Sequence, residues 1–415
     1  MEESNTYLLG PISQLLPMNE LPLRGAIPDE KLNVIHNAGF VVQNGLIAEI
    51  GDYSTLISKY SHLKKVVFDR DVVVLPGFVD CHTHLCWDGS RARDFSMRNA
   101  GYPYLEIAES GGGIWDTVIK TRQASDEALV KNIVQRSSQA ASWGVTTIEV
   151  KSGYGLSVDQ EIRLLRLINK AGQESKLDVI PTCLAAHTVP KEYAGNAVKY
   201  LDDIAEQVLP VIRSERLSTR VDIFVERSAF DTQQAWDFLI KAKSMGFDIL
   251  IHADQFSTGG SMLGARLGAV SVDHLEASTD AEISIVAISD CVAVALPGAS
   301  LGLGEPFTPV RKILDSGGIV AIASDWNPGS APMGDLLIQA SILATKQKLT
   351  TAEVLSGLTF RATKALKLSD RGDLSQGKLA DFQCYNTRDY REILYQQGLL
   401  KPSEVWKKGV RIYEK

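Results

Sequence analysis

Seven histidines occur in the 415-residue chain, and five of them, His82, His84, His187, His252 and His274, stand at the ends of apolar runs. His82 and His84 form a His-x-His pair closing VVVLPGFVDCHTH. Side chains alternate along a strand, so both imidazoles face one side. Two imidazoles on one face suit a divalent metal, although a structural histidine pair has the same spacing. His252 closes FDILIHAD and Asp325 closes GIVAIASD at matching depths. Three imidazoles and one carboxylate that converge on an ion leave a position for water, which is the pattern of a catalytic centre. Asp325 suits two tasks there, as a ligand that helps lower the pKa of bound water and as the base that accepts its proton. A thiolate zinc site is excluded, because the cysteines at 81, 86, 183, 291 and 384 include no Cys-x-x-Cys pair. His274, in VDHLE, is placed either to polarise a carbonyl under attack or to orient a metal ligand.

Positioning these groups requires a scaffold that brings many strand ends together. Eight β-rich apolar segments follow one another, at 72–84, 144–153, 177–187, 221–226, 247–254, 269–276, 291–297 and 318–325. Several are continuous Val/Ile/Leu runs, as in parallel strands buried on both faces. Helical stretches separate them. One opens at Ser125 with Asp126 and Glu127 in its first turn, turns Leu129, Ile133, Ala140 and Trp143 inward, and stops at Gly144. Another covers 159–172, and after the eighth segment Thr350 and Glu353 form a capping box, with Leu349 and Val354 spaced as a hydrophobic staple. The expected fold is α/β, a (β/α)8 TIM-type barrel over 71–371, with a doubly wound open sheet as the alternative. Residues 1–70 and 372–415 share short segments broken by Asn-Gly and Gly-Asp turn signals, so both chain ends are expected to build one small β-sandwich domain.

The connection from His84 to about Val145 is too long for a simple crossover, and is expected to cover the active face as a substrate loop or lid. It carries Arg91, Arg93, Tyr104 and Gly111-Gly112-Gly113. Arg91 is suited to clamp a substrate carboxylate, or equally to pair with Asp88 or Asp94. The glycines match no nucleotide-binding fingerprint and read as a turn or a point of close backbone approach. Composition narrows the partners. Hydrophobic residues at 45% and charged residues at 22% are globular values. A net charge of −7 without a basic cluster argues against nucleic acid, and no apolar run reaches the roughly 18 residues of a membrane span. The acidic start MEESNTYLL is not followed by an apolar export segment, and the cysteines are odd in number and scattered. A cytoplasmic protein acting on a small molecule is expected.

PGFVDCHTHLCWDGSR, ESGGGIWDTVIKTR, KSGYG, AAHTVP, HADQF, VDHLE and SDWNPGS, in that order, closely resemble the imidazolonepropionases of the amidohydrolase superfamily. The resemblance runs from about residue 70 to GDLSQGKLADF. PGFVDCHTH alone marks the superfamily, while GSR, GGGI, KSGYG and DxNPGS point to the narrower family. It implies ring opening of 4-imidazolone-5-propionate to N-formimino-L-glutamate in histidine degradation, on a barrel with one zinc or iron ion, and it implies a homodimer. By resemblance the metal ligands are His82, His84, His252 and Asp325, and the substrate contacts are Arg91, Tyr104, Tyr154, His187, Gln255, Asn327, Gly329 and Ser330. The resemblance implies a mechanism in which a metal-activated water attacks the cyclic amide carbonyl, His274 steadies the developing oxyanion, and Asp325 passes a proton to the leaving nitrogen. Gln255 stands where superfamily deaminases usually place a proton-shuttling glutamate, which disfavours deamination. The lead-in Cys86-Trp87-Asp88 is bulkier and more polar than the family's and implies a shifted pocket. The nearest rival is another amidohydrolase, an aminohydrolase or a binuclear lactamase. The bridging lysine of binuclear members has no counterpart in VDIFVE, which leaves Glu226 as the candidate for a second ion.

Overall fold

The eight apolar runs become eight parallel strands, each paired with the next in sequence. In the computed structural model, which describes residues 6–415, they are Phe78–Asp80, Val145–Lys151, Asp178–Ala186, Arg220–Val225, Asp248–Ala253, Ser271–His274, Val292–Ala295 and Ile319–Ile322. The side chains at 104 and 105 lie outside the described set, and Tyr104 with them. First and last strands meet at their C-terminal ends, where Asp325 N donates to His82 O and His84 N to Trp326 O, each at 3.0 Å. The barrel is therefore closed by the segments that carry three of the four expected metal ligands. Strands such as Val145–Lys151 are buried along their whole length, as expected when helices cover the outside and side chains fill the inside.

Local signals fix the crossovers. Ser125 caps the helix Asp126–Ser142 by accepting from Ala128 N at 3.2 Å. That helix ends before Gly144, whose φ of 95° places it in left-handed space and whose Cβ would strike the Gln383 side chain. The helix expected over 159–172 spans Val158–Glu174, and the box of Thr350 and Glu353 caps Thr351–Leu358. The long stretch after His84 is not an open loop, because it folds into the short helices Ala92–Asn99, Tyr104–Glu109 and Ile114–Gln123.

The run 72–84 divides between two sheets. Val73–Pro76 pairs with Phe382–Tyr385 and Thr6–Leu15 in the layer built by the chain ends, and Phe78–Asp80 starts the barrel. Pro76 has no N–H to carry a ladder forward, and a Cβ at Gly77 would lie 2.3 Å from Thr146 Cγ2. Those two residues turn the chain from one sheet into the other. Eight strands within 6–76 and 382–414 form the second sheet. It is continuous yet folded, since Phe40 and Phe382 lie on strands separated by two others and still meet ring to ring at 5.0 Å. A bulge between Leu9 and Ile12 lets one strand pair first with Lys64–Val67 and then with Val73–Pro76. No helix among the described residues is long and apolar enough to cross a membrane.

Asp178, at the start of the third barrel strand, joins the two sheets. It pairs with Arg371, with Lys407 Nζ at 2.7 Å and with Lys408 Nζ at 3.5 Å. Burial pushes its pKa up, but Lys407 and Arg371 outweigh it and hold the carboxyl at about 2. A folded-state pKa below the unfolded value stabilises above about pH 4 and is lost as pH falls through about 2. Asp178→Asn should therefore cost about 1–2 kcal/mol at pH 7 after allowance for partial exposure. Denaturant titrations at pH 7 and at or below about pH 2 should show this gap between wild type and variant, and then its closure.

Candidate metal centre and active-site cavity

His82, His84 and His252 offer ring nitrogens that all lie within 4.8 Å of one another, and all three residues are buried. His84 Nε2 and His252 Nε2 are 3.4 Å apart, and the His82 and His252 ring centroids 4.5 Å. Asp325 Oδ1 stands 3.2 Å from His84 Nε2 and 3.5 Å from His82 Nε2. Asp325 takes a φ of 50° directly after the eighth strand, and Asn327 Nδ2 donates to its Oδ2 at 2.9 Å. Three of the four residues expected to hold a metal thus surround one point, and Asp325 stands beside two of them.

Their donor atoms suit a cation. His82 Nδ1 donates to Asp273 Oδ2 at 2.6 Å, which leaves the Nε2 lone pair facing the other imidazoles. That Nε2 is buried and has no hydrogen-bond partner among the described residues. His252 Nδ1 is 3.1 Å from Asp222 Oδ2, so its Nε2 is turned to the centre in the same way. Burial, then the Lys151 ammonium and the neighbouring imidazoles, hold His82 well below the usual histidine range. Burial, opposed by Asp222, brings His252 down to about 4. Neutral imidazoles with inward lone pairs are metal ligands in waiting.

Beneath them lies a charge network with no exposed member. Lys151 Nζ sits 2.8 Å from Glu149 Oε1 and 2.9 Å from Asp222 Oδ2, and Glu149 Oε2 accepts from Thr83 N at 3.1 Å. Leu250 is in register with Asp222, so Asp222 reaches His252 from one layer below. Asp80 accepts from Ser324 N at 3.0 Å and Ser324 Oγ at 2.5 Å, and burial lifts its pKa to about 7. Asp222, Asp273, Glu149 and Lys151 are the functional residues that reading by strand ends passes over. Their signal was there, as charged residues at inward positions of otherwise apolar strands.

Above the metal candidates opens a cavity of about 500 Å³. Its walls include Arg91, Tyr154, His187, Gln255, His274, Asn327, Gly329 and Ser330, together with His84, His252 and Asp325. His187 stacks on His84 at 5.4 Å and donates from Nδ1 to Gly153 O at 3.0 Å, so its Nε2 is an acceptor. Burial first, then His84 and His252, bring its pKa to about 3. Asn327 turns inward on its own loop: Oδ1 accepts from Gly329 N and Ser330 N at 2.8 Å each. The amides of 329 and 330 are thereby spent on the turn that holds Asp325. His274 ends its strand with a φ of 87°, which breaks the alternation that would oppose it to Asp273. Burial lowers its pKa, but Glu276 at 3.5 Å and the carboxylates of Asp325 and Asp273 raise it above the ordinary value.

Arg91 occupies both of its expected places, pairing with Asp94 while lining the cavity beside Gly329. Asp94 also accepts from Gly113 N at 2.8 Å, and a Cβ at Gly112 would lie 2.5 Å from its Oδ1. The triple glycine is the seat of that carboxylate. Arg93 instead reaches Ser110 O at 3.0 Å on the exposed side. Trp87 is outside the cavity lining and stacks under Arg136 at 3.4 Å. Glu226 accepts from Phe256 N, Ser257 N and Arg227 N at 2.9–3.0 Å, which commits it to the loop after the fifth strand rather than to a second ion. Arg98, Tyr102, Phe224 and Glu305 also line the cavity, and nothing at the strand ends announced them.

Residues 107–413 match the model of the amidohydrolase family. A curated imidazolonepropionase of Caldanaerobacter subterraneus is 38% identical over 386 residues, 92% of this chain and 92% of that protein. One from Bacillus cereus is 38% identical over 408 residues, 97% of this chain and 95% of its own. The chain belongs to the imidazolonepropionase branch of the amidohydrolase family. Among solved structures, an atrazine chlorohydrolase of Arthrobacter aurescens complexed with zinc aligns with a TM-score of 0.71 at 14% identity, over 98% of this chain and 95% of that one. A zinc-bound adenosine deaminase of Xanthomonas campestris aligns at 0.67 and 17% identity, over 98% and 93%. At such identities these amidohydrolase neighbours speak for the fold.

If Asp273 orients His82 for metal binding, Asp273→Asn should weaken metal affinity by about 10- to 100-fold. Competition against a chromophoric chelator measures this, and unchanged affinity would show that the contact does not act on the metal.

Proposed function

We propose that this amidohydrolase opens the ring of 4-imidazolone-5-propionate by hydrolysis to N-formimino-L-glutamate, using one divalent ion, zinc or iron. The observation that carries the reading is the cluster of His82, His84, His252 and Asp325 on the floor of a cavity whose wall presents Arg91. The relatives named imidazolonepropionase supply the substrate, and the zinc-bound structural neighbours support a metal of that type.

An ion held by these four side chains supplies a Lewis acid that polarises the amide and makes water a nucleophile near neutral pH. The remaining work falls to the chain. Asp325 is buried, which raises its pKa, yet His84, His274 and His252 outweigh burial and keep it below the usual carboxylate range. It enters the reaction ionised, takes the proton of the attacking water, and delivers it to the ring nitrogen as the C–N bond breaks. His274, with its pKa raised by carboxylates, donates to the oxygen on which negative charge develops. Neutral His187 offers an acceptor for a ring N–H, and the Gln255 amide presents both donor and acceptor. Tyr154 closes the wall beside His84, 6.0 Å ring to ring. Asn327, Gly329 and Ser330 hold Asp325 from one side, and Arg91 clamps the substrate carboxylate.

Freshly prepared 4-imidazolone-5-propionate should lose its ultraviolet absorbance on addition of the protein, with N-formimino-L-glutamate accumulating. Chelation should abolish the change and zinc or iron should restore it. Metal-loaded protein that leaves the compound intact would refute the reading. Replacing His274 by Gln should lower kcat about 10²- to 10³-fold with little change in KM, as expected for a group that acts on the transition state.

A further inference from the structure

Arg98 stands seven residues after Arg91, two turns along the helix Ala92–Asn99 whose N-cap is Arg91, so both side chains share a helix face. Both line the cavity. Asp94, buried between them in sequence, has an oxygen occupied by Arg91 Nε and by Gly113 N at 2.8 Å. The positive charge of Arg91 is thus balanced inside the protein. That of Arg98 is not. Its Nε and Nη2 are buried and have no hydrogen-bond partner among the described residues, a costly state for a guanidinium. Burial, then the charge of Arg91, depress its pKa, and the opposing pull of Asp94 does not make up the loss. Arg91, Asp94 and Arg98 leave this helix face with a net positive charge even though Glu305 also lines the cavity, and a carboxylate arriving there relieves it.

We infer that Arg98 is the second arm of an anion clamp, so that the carboxylate on the substrate's side chain bridges Arg91 and Arg98. Arg98 supplies the uncompensated charge, and this makes it the residue that selects cyclic amides bearing an anionic arm over neutral ones. The inference rests on the proposed ring-opening activity for the identity of that arm.

The test compares 4-imidazolone-5-propionate with its neutral propanamide analogue as substrates of the metal-loaded wild-type protein, Arg98→Met and Arg98→Lys. Wild type should prefer the acid. Arg98→Met should lower kcat/KM for the acid about 10- to 100-fold, mainly through KM, with the amide changed by less than about threefold. Arg98→Lys should recover part of the preference, because it keeps charge and loses the fork. Equal losses on acid and amide, or an unchanged preference, would overturn the inference. If wild type opens neither ring, the functional reading fails by itself, and calorimetric binding of 3-(imidazol-4-yl)propionate decides the clamp. At least tenfold weaker binding by Arg98→Met supports it, and equal affinity overturns it.

Discussion

The structure depends on buried carboxylates that decide which nitrogen of His82 and of His252 faces the centre of the barrel. An imidazole offers a metal one lone pair, and it is useful only if the other nitrogen keeps its proton. Asp273 settles this for His82 and Asp222 for His252. Neither carboxylate would be tolerable alone in so dry a place, because an unpaired buried charge costs several kcal/mol. Lys151 answers part of that cost by sitting between Asp222 and Glu149. The floor of the site is thus a neutralising network first and a ligand set second, with the strands themselves as its rigid frame.

That frame explains why the remaining parts fall where they do. The same backbone segments that close the ring, His82 to His84 and Asp325 to Trp326, carry three of the side chains proposed as ligands. Departures from regular strand geometry, at His274 and Asp325, occur where a side chain has to swing out of the pleat into the cavity. Asn327 uses its whole amide to hold the turn after Asp325. On the far wall the short helices after His84 carry the arginines, and the triple glycine anchors the Asp94 that steadies one of them.

Much of this was legible in the sequence, for physical reasons. Parallel strands buried on both faces must be apolar, so all eight stood out, and groups that do chemistry gather at their C-terminal ends, so the histidines and Asp325 did as well. The run 72–84 read as one strand because its apolar content is unbroken; only Pro76 and Gly77 marked the change of sheet. Asp222, Asp273, Glu149 and Lys151 each look like an isolated charge in a strand, and their meaning lies in which other strand they face, a fact that pairing in three dimensions creates. Arg98 was missed for a similar reason. On a short polar helix it resembles any exposed arginine, and only the folded cavity shows Nε and Nη2 buried without an acceptor among the described residues.

The central claim, that one ion held by three imidazoles and Asp325 makes this chain a cyclic-amide hydrolase, is tested most directly by a stoichiometric titration. Metal-free protein is given zinc or iron in fractions of an equivalent while the initial rate of 4-imidazolone-5-propionate ring opening is followed. The account predicts a rate that rises linearly and levels off at one equivalent per chain. A plateau only at two equivalents, or a rate independent of added metal, would contradict it.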